Sequence, residues 1–244
     1  LTLMTDAVFR ERYKKLNAAQ KEAVDALAGP VMVVAGPETG KTTLLALRIA
    51  NILRQTDTPA DAILALTFTE AGVAAMRKKL LEIMGPRAYE VRVHTFHSFA
   101  NALIKRYPEA FPRIVGAEHM EDIEQVHIVE TVLARERSVL LRPKNNPAYY
   151  VLPVINAIRE LKREQVSPRA FAKLLAKGAD AKSDKTKRSR ALAGLYRAYE
   201  KELARRRLYD FEDMVGEAVR VLEKNADFKM RVQEEYQYVL ADEH

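Results

Sequence analysis

Cysteine is absent from the 244 residues, which excludes a disulfide framework and any zinc site built on thiolates. No run of about 18 apolar residues occurs, so no membrane-spanning helix is expected. The first residues also lack the apolar stretch of a signal peptide. A cytoplasmic protein without membrane contact is the default expectation from these absences. Acidic clusters are scarce as well. The 33 Asp and Glu are dispersed, whereas the 40 Lys and Arg gather in residues 182–190 (KSDKTKRSR) and 205–207. The net charge of +7 suits a polyanionic partner without demonstrating one, because a solvated loop and an exposed helical face account for the two stretches equally well. There is no low-complexity tract and no internal repeat, and the length suits one large or two small domains.

What is present is a phosphate-loop pattern in a telling context. Residues 31–43 read VMVVAGPETGKTT: an apolar run expected as a strand over 31–35, then a loop, then the helical pattern LLALRIANIL. Strand, glycine-containing loop and helix in that order make a nucleotide site. Backbone N–H groups of Gly36, Pro37-Glu38, Thr39, Gly40, Lys41, Thr42 and Thr43, proline excepted, are then available at a helix N-terminus, where unpaired donors and the helix dipole favour phosphate. Lys41 adds a point charge for the β and γ phosphates, and the Thr42 hydroxyl is a candidate Mg²⁺ ligand.

A second apolar run, residues 236–241, reads as a buried strand that delivers Asp242 and Glu243 at its C-terminal end, where ligands sit in open α/β sheets. In an NTPase such a pair has two tasks. Asp242 would hold Mg²⁺ through water, and Glu243 would orient and deprotonate the attacking water.

Between these halves the pattern changes character. A helix is expected over 17–28, with Asn17 as N-cap and Gly29-Pro30 as its stop. Strands are expected over 63–68 and 91–95, each followed by a helix, over 71–83 and 98–106. Strands alternating with helices argue for a parallel sheet with crossover helices. From about 107 to 207 strand-like runs give way to helical ones: 121–135, 151–163, 168–175 and 188–206. Ser167-Pro168 is a helix entry, with serine as cap and proline in the first turn. Asp210 then caps a further helix before the strand at 236–241.

Taken together, these segments resemble the N-terminal half of the UvrD/Rep/PcrA-type superfamily 1A DNA helicases. Leu16-Asn17-Ala18-Ala19-Gln20 resembles their Q motif, and the phosphate loop resembles AGxGxGKT. Leu66-Thr67-Phe68-Thr69 with Met76-Arg77 resembles motif Ia, and Thr95-Phe96-His97-Ser98-Phe99 resembles motif Ib. Asp210-Phe211-Glu212-Asp213 is similar to the DFDD segment before the Walker B strand, and residues 240–244 are similar to the start of the DExQD motif.

The resemblance implies an α/β fold: a RecA-like P-loop NTPase parallel sheet (domain 1A, residues 1–106 and 208–244) with an inserted all-helical subdomain (1B, residues 107–207). It also implies the N-terminal part of an ATP-dependent 3′–5′ DNA helicase, using ATP and Mg²⁺ on single-stranded or 3′-tailed duplex DNA, as a monomer. Gln20 would read adenine, Lys41 and Glu243 would serve catalysis, and Thr42 and Asp242 would hold the metal. Thr67, Phe68, Thr95 and His97 would line the DNA, with Phe68 stacking on a base.

Three departures qualify the resemblance. Glu38 stands where the family carries glycine, which predicts weaker ATP binding. Glu70-Ala71-Gly72-Val73 replaces the usual Asn-Lys-Ala-Ala and removes a lysine contact to DNA phosphate. The sequence ends inside the Walker B motif, so these 244 residues resemble a fragment that is not expected to unwind DNA. A non-catalytic nucleic-acid-binding module and another P-loop phosphotransferase are the alternatives.

Overall fold

The computed structural model describes residues 2–36, 39–135, 141, 146, 148–177 and 183–242. The chain divides into two compact units: Leu1–Ala102 with Asn225–His244, and Leu103–Lys224.

The first unit is built on a parallel three-stranded sheet in the order β2-β1-β5, with β1 at Ile63–Thr67, β2 at Arg92–Thr95 and β5 at Tyr238–Ala241. Leu64 lies opposite Arg92 on one side of β1 and opposite Val239 on the other. All five residues of β1 are buried, as expected for a central strand covered on both faces. Parallel neighbours require crossovers, and α4 (Glu70–Met84) connects β1 to β2. Thr69 caps α4 by accepting from the Gly72 amide, and Gly85, at φ +61°, ends it.

Helix α3 (Lys41–Gln55) buries Leu44, Leu47, Ile49 and Ile52 in the same core as Ile63, Ala65, Leu80, Ile83 and Leu240. Each such side chain contributes about 1.5–3 kcal/mol by leaving water. Helix α2 (Ala18–Asp25) is tied to α3 by Asn51, whose amide donates to the Val24 carbonyl at 3.1 Å, and by Arg48, which donates to the Ala23 carbonyl. A helix that periodicity does not reveal, α1 (Thr2–Lys14), precedes these. Only Phe9 on it is buried among the residues whose side chains are described, and Arg12 anchors it to Glu82 at 2.8 Å.

The strand expected over 31–35 does not form. The segment is extended but unpaired, and Met32 and Val34 are each 88% exposed. A strand exists only where a neighbouring edge supplies hydrogen-bond partners. In the sheet order β2-β1-β5 both edges of β1 are taken, and among the described residues neither outer strand, β2 or β5, pairs with residues 31–35.

The second unit contains α6 (Asp122–Arg135), α7 (Val151–Arg163), α8 (Pro168–Lys177), α9 (Asp184–Arg206) and α10 (Phe211–Lys224). It is not all-helical: β3 (Glu118–His119) and β4 (Leu208–Tyr209) pair in parallel, a ribbon too short to show as a sequence pattern. Helix α10, placed by the sequence reading with the sheet domain, packs within this compact unit, which runs to Lys224. The reason is electrostatic as well as apolar. Val151, Val154, Ile155 and Ile158 form a buried stripe on α7, and Lys162, one turn further along it, is buried too. Its ammonium meets Asp210 at 2.6 Å, Asp213 at 2.7 Å and Glu200 at 2.8 Å. Tyr199 donates to Asp210 at 2.9 Å, and Gln125 donates to the Tyr199 hydroxyl at 2.8 Å. Burial would depress the Lys162 pKa, but the carboxylates around it raise it, so it stays charged. Burial, with Asp210 and Glu200 nearby, lifts Asp213 to about 7 despite Lys162.

Candidate nucleotide and DNA site

Gly40 is the N-cap of α3 at φ +80°, a left-handed conformation that glycine adopts without strain. It has no side chain to satisfy the first amides of the helix, so those of Lys41, Thr42 and Thr43 have no intrahelical acceptor. The loop before it is closed by the Thr39 hydroxyl, which donates to the Gly36 carbonyl at 2.8 Å. Lys41 and Thr43 are both half-buried in the first turn. Pro37 and Glu38 lie outside the described residues, and so does the effect of Glu38 on the loop.

Two hundred residues away in sequence, β5 ends beside this turn. The Asp242 amide donates to the Leu66 carbonyl at 2.8 Å, continuing the ladder, and its side chain is buried. The Thr42 hydroxyl donates to Asp242 Oδ2 at 3.0 Å. Among the described residues no ion pair neutralises Asp242. A hydroxyl and a carboxylate without an ion-pair partner among the described residues, at a helix N-terminus, form an oxygen donor set of the kind a hard divalent cation takes. The residues therefore fit Mg²⁺. Glu243 lies outside the described residues.

Gln20 is on the first turn of α2, where it forms a reciprocal capping box with Asn17. Asn17 Oδ1 accepts from the Gln20 amide at 2.9 Å, and Gln20 Oε1 accepts from the Asn17 amide at 3.1 Å.

The residues expected on DNA separate into two groups. Phe68, just past the end of β1, is 58% exposed and packs against Phe96 with ring centroids 5.2 Å apart. Thr67 and Thr95 are buried instead. Thr95 Oγ1 accepts from the Ser98 amide at 3.0 Å, while Ser98 Oγ accepts from the Thr95 amide at 2.9 Å. That box starts α5 (Phe96–Arg106) and commits the Thr95 hydroxyl to backbone. His97 lies half-buried in the first turn of α5. Its neighbour His94 is held below the usual imidazole range by burial and by Arg92 and Arg77.

A profile of the UvrD/REP helicase N-terminal domain matches residues 16–244. The chain belongs to the UvrD/REP helicase family. It is 28% identical over 234 residues to the ATP-dependent DNA helicase PcrA of Staphylococcus aureus strain Mu50, covering 94% of this chain and 29% of that protein. It is also 28% identical over 230 residues to the ATP-dependent DNA helicase UvrD1 of Mycobacterium bovis, covering 94% of this chain and 28% of that protein. The chain thus spans less than a third of the length of these relatives.

Within this helicase domain, sequence reasoning missed two partners. Phe96 backs Phe68, and the Thr-Phe-His-Ser-Phe string carries that signal, since it places an aromatic beside the N-cap threonine. Phe99 meets both His94, at 6.2 Å, and Tyr236, at 5.5 Å, which joins α5 to the segment leading into β5. Arg205 and Arg206 both pair with Glu202, at 2.6 and 2.9 Å, and together hold its carboxyl down to about 2. A single carboxylate thus offsets one of the charges of that stretch. Lys182 lies outside the described residues.

Proposed function

We propose that the chain is the ATP-binding N-terminal part of a cytoplasmic, ATP-dependent 3′–5′ DNA helicase, and that by itself it does not unwind DNA. The observation that carries this reading is the meeting of Thr42 and Asp242 at the amino terminus of α3, beside Lys41. In the longer protein, the α3 amides and Lys41 hold the β and γ phosphates of ATP, and Gln20 takes the adenine edge. Thr42 and Asp242 hold Mg²⁺, which when bound neutralises charge on those phosphate oxygens. Glu243 orients the attacking water and accepts its proton as the bond to the γ-phosphorus forms and the β–γ bridge breaks. Phe68 offers a ring face to an unpaired base, a contact indifferent to sequence because every base has one. We assign the helical unit, without α10, to the inserted subdomain of the family.

Glu243→Gln in the full-length protein is expected to abolish ATP turnover while leaving ATP bound. Turnover unchanged in that variant contradicts the reading. Phe68→Ala is expected to weaken single-stranded DNA binding by roughly 1–3 kcal/mol without lowering the melting temperature, since the ring is largely exposed.

A further inference from the structure

A cavity of about 550 Å³ opens between the segment leading into β1 and the segment leading into β2, lined by Pro59, Asp61, Arg87, Tyr89, Glu90 and Arg92 among others. Asp61 precedes β1 by two residues and Arg92 begins β2, so the cavity lies at the amino-terminal end of the sheet. Thr67, Thr95 and Asp242 sit at the other end, the length of β1 away, roughly 15 Å at about 3.3 Å per residue. The volume falls within the roughly 300–1,000 Å³ of ligand-binding clefts.

Its walls are fixed before any ligand arrives. Arg77, half-buried on α4, donates through Nη1 to the Ala88 carbonyl at 2.7 Å and to the Val91 carbonyl at 2.9 Å. Ala88 and Val91 are buried in the core of this unit, which turns Arg87, Tyr89, Glu90 and Arg92 outward. On the other wall the Ala62 amide donates to the Pro59 carbonyl at 3.0 Å, and Ala60 and Ala62 are buried on either side of exposed Asp61. A backbone pinned in this way loses little further freedom on binding.

The side chains on those walls are uncommitted. Among the described residues Arg87, Arg92, Asp61 and Glu90 form no ion pair and no side-chain hydrogen bond, although both signs of charge line one cavity. Tyr89 is 69% exposed and packs on no other described ring. Guanidiniums and carboxylates held apart in one cleft suit a ligand that itself carries both signs. A nucleic-acid strand answers only the arginines and sets its phosphates against Asp61 and Glu90. A lone inorganic anion leaves the carboxylates and Tyr89 unused. A peptide with an acidic side chain beside a basic one answers all of them: its carboxylate takes a guanidinium fork, its cation takes Asp61 or Glu90, and Tyr89 covers the apolar stem of the basic side chain. Arginine and tyrosine are also the residue types that most often carry binding energy at protein interfaces. We propose that this cavity docks a partner protein through a segment that pairs an acidic with a basic side chain, at the end of the sheet opposite the candidate nucleotide and DNA residues. The site goes beyond the nucleotide-binding reading and does not depend on it.

The test is selection on the 244-residue chain from a random peptide library displayed on phage, with the charge-reversed variant Arg87→Glu/Arg92→Glu as counter-selection. Both side chains are exposed, so the variant is expected to keep the wild-type melting temperature. Enriched peptides are expected to carry adjacent acidic and basic side chains and to bind the wild type at least about tenfold more tightly than the variant. In NMR spectra of the labelled protein they are expected to shift the amides of residues 87–92 and to leave those of Lys41, Thr42 and Thr43 in place. Tyr89→Ala, which alters no charge, is expected to weaken them about tenfold and serves as the second variant should the reversal unfold the protein. Lys41→Ala is expected to bind them as the wild type does, so failure of the nucleotide reading and failure of this one are told apart. Peptides that bind the wild type and both variants equally, that are purely acidic, or that shift other residues instead overturn the proposal, as does a lack of enrichment over an unrelated control protein. Displacement of the peptides by a single-stranded oligonucleotide or by inorganic phosphate, with residues 87–92 shifting, makes the cavity an anion site and equally overturns it.

Discussion

Two sets of carboxylates sit at the start of a helix in this protein, one in each unit, and they differ in where their counterion comes from. At α10, Asp210 and Asp213 are met by Lys162, with Tyr199 and a backbone amide supplying further donors. At α3, Asp242 is also buried, and among the described residues its partners are the Thr42 hydroxyl and its place in the strand ladder. A buried charge costs several kcal/mol unless it is paired, so a carboxylate left uncompensated in the fold is one whose cation arrives from outside. The first cluster is satisfied within the fold, and the proposed function gives the second its cation from a ligand. Sequence treats both as acidic residues beside a helix; only the source of positive charge separates them.

That contrast is sharpened by removing the built-in cation. Lys162→Met keeps the length and packing of the side chain but leaves Asp210, Asp213 and Glu200 facing one another. The expected loss is about 3–5 kcal/mol of stability at neutral pH, read by urea unfolding, the usual cost of stranding a buried charge. An unchanged midpoint would mean that the ammonium contributes nothing net.

A smaller effect is expected from Asp213→Asn, and it depends on pH. One ammonium faces three carboxylates, so the cluster retains a proton; Tyr199 and the Asp213 backbone amide donate to Asp210 and keep it ionised, which leaves the proton to Asp213, lifted to about 7. The folded pKa lies above the ordinary Asp value. Stability from this group is therefore complete below about pH 4 and is lost as pH rises through 7. Asp210 runs the other way: Lys162 outweighs burial and lowers it, so its contribution vanishes only in strong acid. Asp213→Asn is expected to flatten the decline between about pH 4 and 8 and to gain roughly 1–3 kcal/mol at pH 8. A wild-type protein equally stable at pH 5 and 8 contradicts the shared proton.

The smallest effect on stability is expected at the other cluster. Asp242→Asn removes an unpaired buried charge while keeping the acceptor for Thr42. Its melting temperature in the absence of nucleotide should match or slightly exceed that of the wild type, a change within about 1 kcal/mol. Its response to Mg²⁺ in the presence of ATP should disappear. A large destabilisation would place Asp242 with the structural carboxylates.

The legible parts of the fold and site were those where local chemistry decides. Gly40-Lys41-Thr42, the cap at Asn17, the entry at Ser167-Pro168 and the cap at Asp210 all act within one turn, and each is found where the pattern placed it. What escaped depended on distant partners. The apolar run at 31–35 has every mark of a strand, but strand formation is a property of a pair. Helix α1 has little apolar periodicity and is held by Phe9 and by ion pairs to α3 and α4. Lys162 is the instructive case. It continues the stripe Val151, Val154, Ile155 and Ile158, so its burial was implied by spacing, but only the fold reveals the three carboxylates that make it tolerable. Thr95 and Phe68 adjoin the ends of neighbouring strands, yet one hydroxyl is consumed by a cap and the other ring faces solvent.

The most direct test of the account is calorimetric titration of the 244-residue chain with ATP, with and without Mg²⁺, alongside Lys41→Ala and Asp242→Asn. The account predicts binding that Mg²⁺ strengthens in the wild type, no measurable binding in Lys41→Ala, and binding indifferent to Mg²⁺ in Asp242→Asn. Equal affinity in all three proteins, each shown to be folded, would contradict it, because Asp242 would then be a buried carboxylate with no cation to receive.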